Sequence, residues 1–341
     1  MESITKNRQP VETLRAMVAR AYGPEQVPDA GEDWVSELGH GWFNVAYRIR
    51  LRSGAQVVLK IAPPPDVEVM TYECGAMATE LAALRLIQEN TKVPVPAVDF
   101  ADQSHELCDA DYFFMSYVDA DNLNVIRDTL SRAELDAYDE ALGATTRELN
   151  RIRGAAFGPL AGPGESSWRA AFLRMIEELL GDGERRGVDL GYGYDVVREV
   201  VAAHADSLDE VTEPRFVEWD LWPGNCMVRD GEIVAILDHE RAFYGDPLME
   251  FGFTASELSA FGDSAAFIRG YGHEPFTSSE RVRRRLYNLH LVLVQIIETN
   301  FRAHTDTEQY DWACERLRET IAMLGEHASR RQQRRPDQSH R

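Results

Sequence analysis

Long apolar runs, cysteine pairs and internal repeats are all missing from these 341 residues. No stretch approaches the roughly 20 apolar residues needed to span a bilayer. The opening segment, MESITKNRQPVETLRA, has no apolar core of the kind a secretory signal carries, which points to a cytoplasmic protein. Cysteine is limited to Cys74, Cys108, Cys226 and Cys314. No two stand at metal-ligand spacing, so reduced, buried thiols are expected rather than a zinc module or a disulfide framework. Positive charge is also scarce: 36 Lys and Arg face 57 Asp and Glu, for a net charge of −21. Five arginines fall in the last fourteen residues, so the remainder is more acidic still. An acidic body repels nucleic-acid phosphates and anionic membranes and argues against both as partners. It suits a cationic small molecule.

What is present is a globular composition, 44% hydrophobic, in two parts of different character. After a helix at 10–22, the segments WVSEL, VAYRIRL and QVVLKIA read as strands, the last two joined at Ser53-Gly54. MTYECGAMATELAALRLIQEN reads as one helix, and VPVPAVDFA and DYFFMSYV as two further strands. Beyond Val118 the pattern turns helical, interrupted by one β segment, FVEWDLWPGNCMVRDGEIVAILD, with a hairpin signal at Asp230-Gly231. The expected fold is α+β and bilobal. A small antiparallel-sheet lobe takes residues 1–118 and a larger, mainly helical lobe 119–327. A tail at 328–341, without apolar periodicity, is expected to be disordered. A cleft between lobes is a favoured ligand site.

The chemistry-bearing residues fall around that cleft. Gly39 and Gly41, in GHGWFN between the first two strands, would let backbone N–H groups approach a phosphate closely. Lys60, in VVLKIA, has a stem among apolar residues and an ammonium free to enter the cleft. Glu80 on the following helix is its expected partner, with Glu73 as the rival. In FVEWDLWPGNCMV, Asp220 and Asn225 stand five positions apart across a Pro-Gly bend. Phosphoryl transfer needs a carboxylate near the attacking hydroxyl and hard oxygen ligands for the metal on the phosphates. Asp220 can take the hydroxyl proton, Asn225 can offer an amide oxygen, and Asp238, returned by the hairpin, can add a carboxylate ligand.

With VVLKIA, TELAAL, VPVPAV, FVEWDLWPGNCMV and IVAILDHERAFYGDPLMEFGF in this order, the chain resembles the aminoglycoside phosphotransferase family of small-molecule kinases over roughly residues 30 to 300. That family has a protein-kinase-like fold. The resemblance implies ATP or GTP as phosphoryl donor with Mg²⁺, and Asp220 as catalytic base. Asn225 and Asp238 become metal ligands, and Lys60 with Glu80 serves the α- and β-phosphates. It also implies a hinge at Ser116, Tyr117 and Val118 that holds the purine by backbone bonds, with Met115 lining the pocket. The third glycine of the protein-kinase loop is absent. The family usually places His two residues before the catalytic Asp, where this chain has Glu218, a second carboxylate with Arg215 or Arg241 as its expected counter-charge. On that reading Glu218→His should keep or raise activity.

Asp246 and Pro247 read as the cap and first turn of the next helix. They follow Asp238 too closely to leave room for the long activation segment of a protein kinase. A small hydroxylated acceptor is therefore expected, an antibiotic first, in a monomer or homodimer. An amino alcohol or sugar kinase, or a nucleotide-binding pseudokinase, are the alternatives. Trp219 and Trp222 flank Asp220 and could stack on an acceptor ring. Glu298 and Asn300, polar positions at the end of an otherwise apolar helix, could reach it.

Overall fold

In the computed structural model residues 3–29, 33–39, 41, 43–251, 256–304 and 307–333 are described, with side chains in the last helix through 325. The first helix, α1 (Val11–Tyr22), buries Leu14, Met17 and Val18. Strands β1 (Val35–Glu37), β2 (Val45–Arg50) and β3 (Gln56–Ile61) follow, then helix α2 (Ala76–Asn90) and strands β4 (Val98–Asp102) and β5 (Tyr112–Ser116). They form one antiparallel sheet in the order β1-β2-β3-β5-β4. Strand periodicity sends successive side chains to opposite faces. Tyr112 and Phe114 therefore pack with α1, while Phe113 and Met115 pack with Val58, Met77 and Leu84 under α2.

The helix expected from Met70 does not form as one piece. Gly75 takes φ +77° and starts α2, while Thr71–Glu73 closes a separate 3-10 turn. A left-handed residue costs glycine nothing and ends the helical path for its neighbours. Glu73 is thereby turned away from the sheet, toward Arg302.

The larger part contains strand β6 (Asp121–Asn122) and helices α3 (Leu123–Ile126) and α4 (Arg132–Leu149), then strand β7 (Gly158–Pro159). Helices α5 (Trp168–Arg186) and α6 (Tyr194–His204) come next. Strands β8 (Arg215–Val217), β9 (Cys226–Arg229), β10 (Glu232–Ile236) and β11 (Phe243–Gly245) are followed by α7 (Ala265–Tyr271), α8 (Ser278–Phe301) and α9 (Glu308–Gln333). Asp230 and Gly231 both have positive φ, +53° and +84°, as a two-residue hairpin turn requires.

β structure here is more extensive than the single hairpin expected. Two three-stranded sheets form, β10-β9-β6 and β7-β11-β8. Strands of two or three residues are too short to show a period, which is why they escaped the sequence reading. Likewise 119–130 holds only the two-residue strand β6, a short helix and a 3-10 turn, Pro247–Phe251 and Ser259–Phe261 are 3-10 turns rather than a helix, and α7 was not foreseen. α9 continues through Gln333, into the segment expected to be disordered; 334–341 lie outside the described residues.

Among the described residues no helix is long and apolar enough to cross a membrane. All four cysteines are free, but only Cys226 and Cys314 are buried. The expectation of buried thiols fails for Cys74, which is exposed.

Candidate active site

The segment between β8 and β9 is closed on itself by its own polar groups. Asn225 Nδ2 donates to the Asp220 carbonyl at 2.8 Å, which the five-residue spacing permits. Its Oδ1 accepts no hydrogen bond among the described residues, and Asn225 lines the cavity that Asp220 and Asp238 also line. The Asn225 carbonyl accepts from Leu237 N–H at 2.9 Å, so β10 delivers Asp238 beside it. Gly224 is needed for space: a Cβ there would lie 2.3 Å from the Trp222 ring. Glu250 holds the loop from beneath, its carboxylate accepting from Glu218 N–H at 2.7 Å and Trp219 N–H at 3.1 Å. Burial pushes the Glu250 carboxyl up to about 8, against the pull of these N–H donors.

Two residues of the site have positive φ, Trp219 at +64° and Asp238 at +69°. Such backbone persists only where the surroundings enforce it. Between them lies the pair Glu218–His239: Oε1 of Glu218 is 2.8 Å from Nδ1 of His239, and both side chains are 1% exposed. His239 Nε2 lies 3.2 Å from the Ile236 carbonyl. Burial works to lower the His239 pKa, but the Glu218 carboxylate outweighs it, and the net effect is upward. Neither expected arginine serves Glu218. Arg215 pairs with Glu213, and Arg241 lies 3.9 Å from Asp220 and 3.7 Å from Glu298. The counter-charge of Glu218 is the histidine that follows Asp238.

Asp220 is half-buried, and desolvation pushes its carboxyl up to about 7, with Arg241 opposing and Asp238, Glu298 and Glu218 reinforcing the rise. Lys60 Nζ is 2.7 Å from both oxygens of Glu80 and 2.8 Å from Asp238 Oδ1. Burial works to lower the Lys60 pKa, yet Asp238, Glu80 and Glu240 outweigh it and keep the ammonium charged. Glu73, the rival partner, is instead in a buried pair with Arg302.

Glu80, Asp238 and Glu240 bring carboxylate oxygens within 4.8 Å of one another, and Lys60 donates hydrogen bonds to the first two. Asn225 and Asp238 offer hard oxygen donors at one cavity, a set that fits Mg²⁺.

Gly39 and Gly41 sit at the β1–β2 connection, Gly41 near Lys6 and Asn44; His40 and Trp42 lie outside the described residues. Met115 is buried in β5. Ser116 turns toward β4: its N–H donates to the Ala97 carbonyl at 2.9 Å and its hydroxyl accepts from Ala97 N–H at 3.0 Å. The N–H groups of Tyr117 and Val118 are unbonded among the described residues, whereas that of Ser116 is taken up by Ala97. Trp219 is 4% exposed and packs on Tyr72 and His290, whereas Trp222 is 37% exposed and lines the cavity.

That cavity, about 180 Å³, is bounded by Asp220, Asn225, Asp238 and Trp222 on the loop side and by Leu291, Val294, Gln295 and Glu298 of α8. Asn300 is exposed and takes no part in it. At 100° per residue it lies some 200° around the helix from Glu298, so it is a solvated helix end. The sequence reading missed Glu240, Arg302, His304 and Gln309, which also border the cavity. The signal for Glu240 was the ionisable run Asp238-His239-Glu240-Arg241 leaving a buried strand.

A small antiparallel sheet set over a helical part, with a buried lysine, an acidic loop and an asparagine facing one cleft, defines a kinase-like phosphotransferase. A model of the phosphotransferase enzyme family matches residues 34–289: the chain belongs to that family of small-molecule kinases. Comparison with curated proteins gave no match.

Among solved structures, a thermostable mutant of the aminoglycoside phosphotransferase APH(4)-Ia, in complex with AMP-PNP and hygromycin B, is similar with a TM-score of 0.63. Its identity is 19%, over 92% of this chain and 99% of that one. The streptomycin–ATP complex of APH(2")-IIa gives 0.61 at 17% identity, over 93% and 99%. A candidate fructosamine-3-kinase from Thermobifida fusca gives 0.63 at 20%, over 92% and 100%. At these identities the likeness shows the fold alone.

Proposed function

We propose that the protein transfers the γ-phosphoryl group of ATP or GTP to a hydroxyl of an amine-bearing small molecule, an aminoglycoside antibiotic being the first class to test. The observation that supports this reading is the half-buried Asp220 carboxyl, about 7 in pKa, facing a cavity that Asp238, Glu240 and Glu298 line together with Arg241 and Arg302. A base near neutrality is matched to taking a proton from an alcohol. The Glu298 carboxylate on the α8 wall suits an ammonium-bearing acceptor. Trp222 offers an exposed face for a sugar or ring, and Glu298 a carboxylate for an amine.

In this reading Asp220 takes the acceptor's proton. Arg241, stacked over Tyr72 and Trp219 at 5.4 Å from each ring, fixes the Asp220 carboxylate. Lys60, held by Glu80, meets the α- and β-phosphates, and Tyr117 and Val118 hold the base. Asn225 and Asp238 would hold Mg²⁺, which when bound supplies charge neutralisation on the phosphates. A second reading, an amino-sugar metabolite kinase, is favoured by the fructosamine-kinase-like neighbour. The family's catalytic chemistry and the intact set Lys60, Asp220, Asn225 and Asp238 speak against a pseudokinase.

A nucleotide-consumption screen across aminoglycosides, other hydroxylated antibiotics and amino sugars tests the proposal. Turnover with amine-bearing acceptors is expected; turnover only with neutral or anionic ones would refute the acceptor class. The pH dependence has a definite sign. Asp220 must be ionised to act, so kcat/KM of the free enzyme should fall about tenfold per pH unit below about 7 and level off above it, where the group is ionised. A flat profile between pH 5 and 8 would remove Asp220 as the titrating base. On α8, Glu298→Gln should raise KM for an amine acceptor by about tenfold, as loss of a charge-assisted contact does, and Asn300→Ala should leave it unchanged.

A further inference from the structure

The N-terminal arm ahead of α1 places a second lysine beside the glycine-containing loop. Asn7 Nδ2 donates to the Ala62 carbonyl at 3.1 Å, and Arg8 Nε donates to Glu37 Oε2 at 2.7 Å. These bonds tie the arm to the end of β3 and to β1, and carry Lys6 between them. Lys6 is 8% exposed. Its Nζ donates to the Asn44 carbonyl at 2.6 Å and makes no other hydrogen bond and no ion pair among the described residues. An ammonium has three donors, so two remain open on a buried cation. The arm thus holds an unpaired positive charge out of water, an arrangement that is costly unless an anion comes to it.

The surroundings say where that anion would be. Gly41 lies beside the ammonium: a Cβ there would sit 3.6 Å from Lys6 Nζ, in ordinary contact. Asn44, whose carbonyl holds Lys6, donates its side-chain amide to Glu240 Oε2 at 2.5 Å, and Glu240 lines the Asp220–Asp238 cavity. Burial lowers the Lys6 pKa; Glu37, Asp238 and Glu240 oppose that, and Arg8 adds to it. Lys60, by contrast, already has its donors directed at Glu80 and Asp238.

We propose that Lys6 is a further nucleotide-binding residue, its ammonium taking the terminal phosphates of a nucleoside triphosphate from the glycine-loop side while Lys60 serves from β3. This rests on the kinase reading above and deepens it: the N-terminal arm is part of the donor site. The phosphates supply the anion that the two open donors lack, and they lie at the Asp238–Glu240 end of the cleft rather than at the purine end.

The test is equilibrium binding of AMP-PNP and of AMP, with Mg²⁺, to the full chain and to Lys6→Gln, Lys6→Met and Lys6→Arg. Glutamine keeps a donor for the Asn44 carbonyl, so the arm stays docked while the charge is lost. Gln and Met should weaken AMP-PNP binding by about tenfold or more, the scale of one charge-assisted phosphate contact. AMP binding should stay within about twofold, and Arg should restore most of the AMP-PNP affinity. AMP-PNP binding unchanged in Lys6→Gln and Lys6→Met would overturn the role of Lys6 and leave the kinase reading standing. Equal losses for AMP and AMP-PNP would also overturn it, by making the arm merely structural. A native chain that bound no AMP-PNP at all would overturn the kinase reading itself.

Discussion

Asp220→Asn is expected to lower kcat by about two to four orders of magnitude, the range for removal of a positioned general base, with AMP-PNP affinity close to native. The substitution keeps the volume and the planar head of the side chain and removes only its ability to take a proton. Among the described residues no second carboxylate is placed to replace it. Asp238 is engaged by Lys60 at 2.8 Å, Glu240 accepts from Asn44, and Glu298 accepts from Gln309 Nε2 at 2.9 Å while lying 3.7 Å from Arg241. Arg241 would keep Glu298 as counter-charge, so the cavity should not collapse. Single-turnover rates beside a thermal melt separate the chemical loss from unfolding. A variant that transferred phosphoryl groups at the native rate would remove Asp220 from the role of base.

Removing one member of the Glu218–His239 pair should have the second large effect. Glu218→Ala is expected to destabilise the fold by about 3–5 kcal/mol, the usual result of leaving one half of a buried ion pair without its partner, and to lower activity with it. The pair joins the residue before Trp219 to the residue after Asp238, the two positions of positive φ in the site. Losing it frees both backbones to relax away from the cleft.

The expectation that histidine would be welcome at 218 is therefore reversed. Glu218→His sets two imidazoles against each other without a carboxylate and should cost at least about tenfold in kcat, or about 1.4 kcal/mol of barrier. The exchange Glu218→His with His239→Glu should recover most of it, because the pair is restored with its ends swapped. Failure of the exchange to recover anything would show that the residues act separately. The pair's pH dependence follows from the raised His239 pKa. Its contribution is full below the ordinary histidine value of 6.5 and is lost as pH rises through the higher folded-state value.

The sheet lobe, the long helices and the hairpin could be read from periodicity and turn chemistry, because each buries one face over several repeats of its period. Lys60 and Glu80 were legible for the same reason: a lysine in an apolar strand and a glutamate on the buried stripe of the next helix point to each other. The break at Gly75 was not, since one glycine within a helical pattern is often tolerated. It decided the competition between Glu73 and Glu80. The partner of Glu218 could not be found by looking for an arginine nearby in sequence. It stands 21 residues on, brought back by the β9–β10 hairpin. Lys6 gave no sequence signal at all, because a single lysine in a polar arm has no period and its burial depends on the arm docking across three strands.

The central claim is that the cleft moves a phosphoryl group from a nucleotide to an alcohol with Asp220 as the base. Its most direct test is mass spectrometry of an amine-bearing acceptor incubated with ATP, Mg²⁺ and either native protein or Asp220→Asn. An acceptor heavier by one phosphoryl group is expected, formed in step with ADP by the native protein and nearly absent with the variant. ADP formed without any phosphorylated acceptor, or equal product from both proteins, would contradict it.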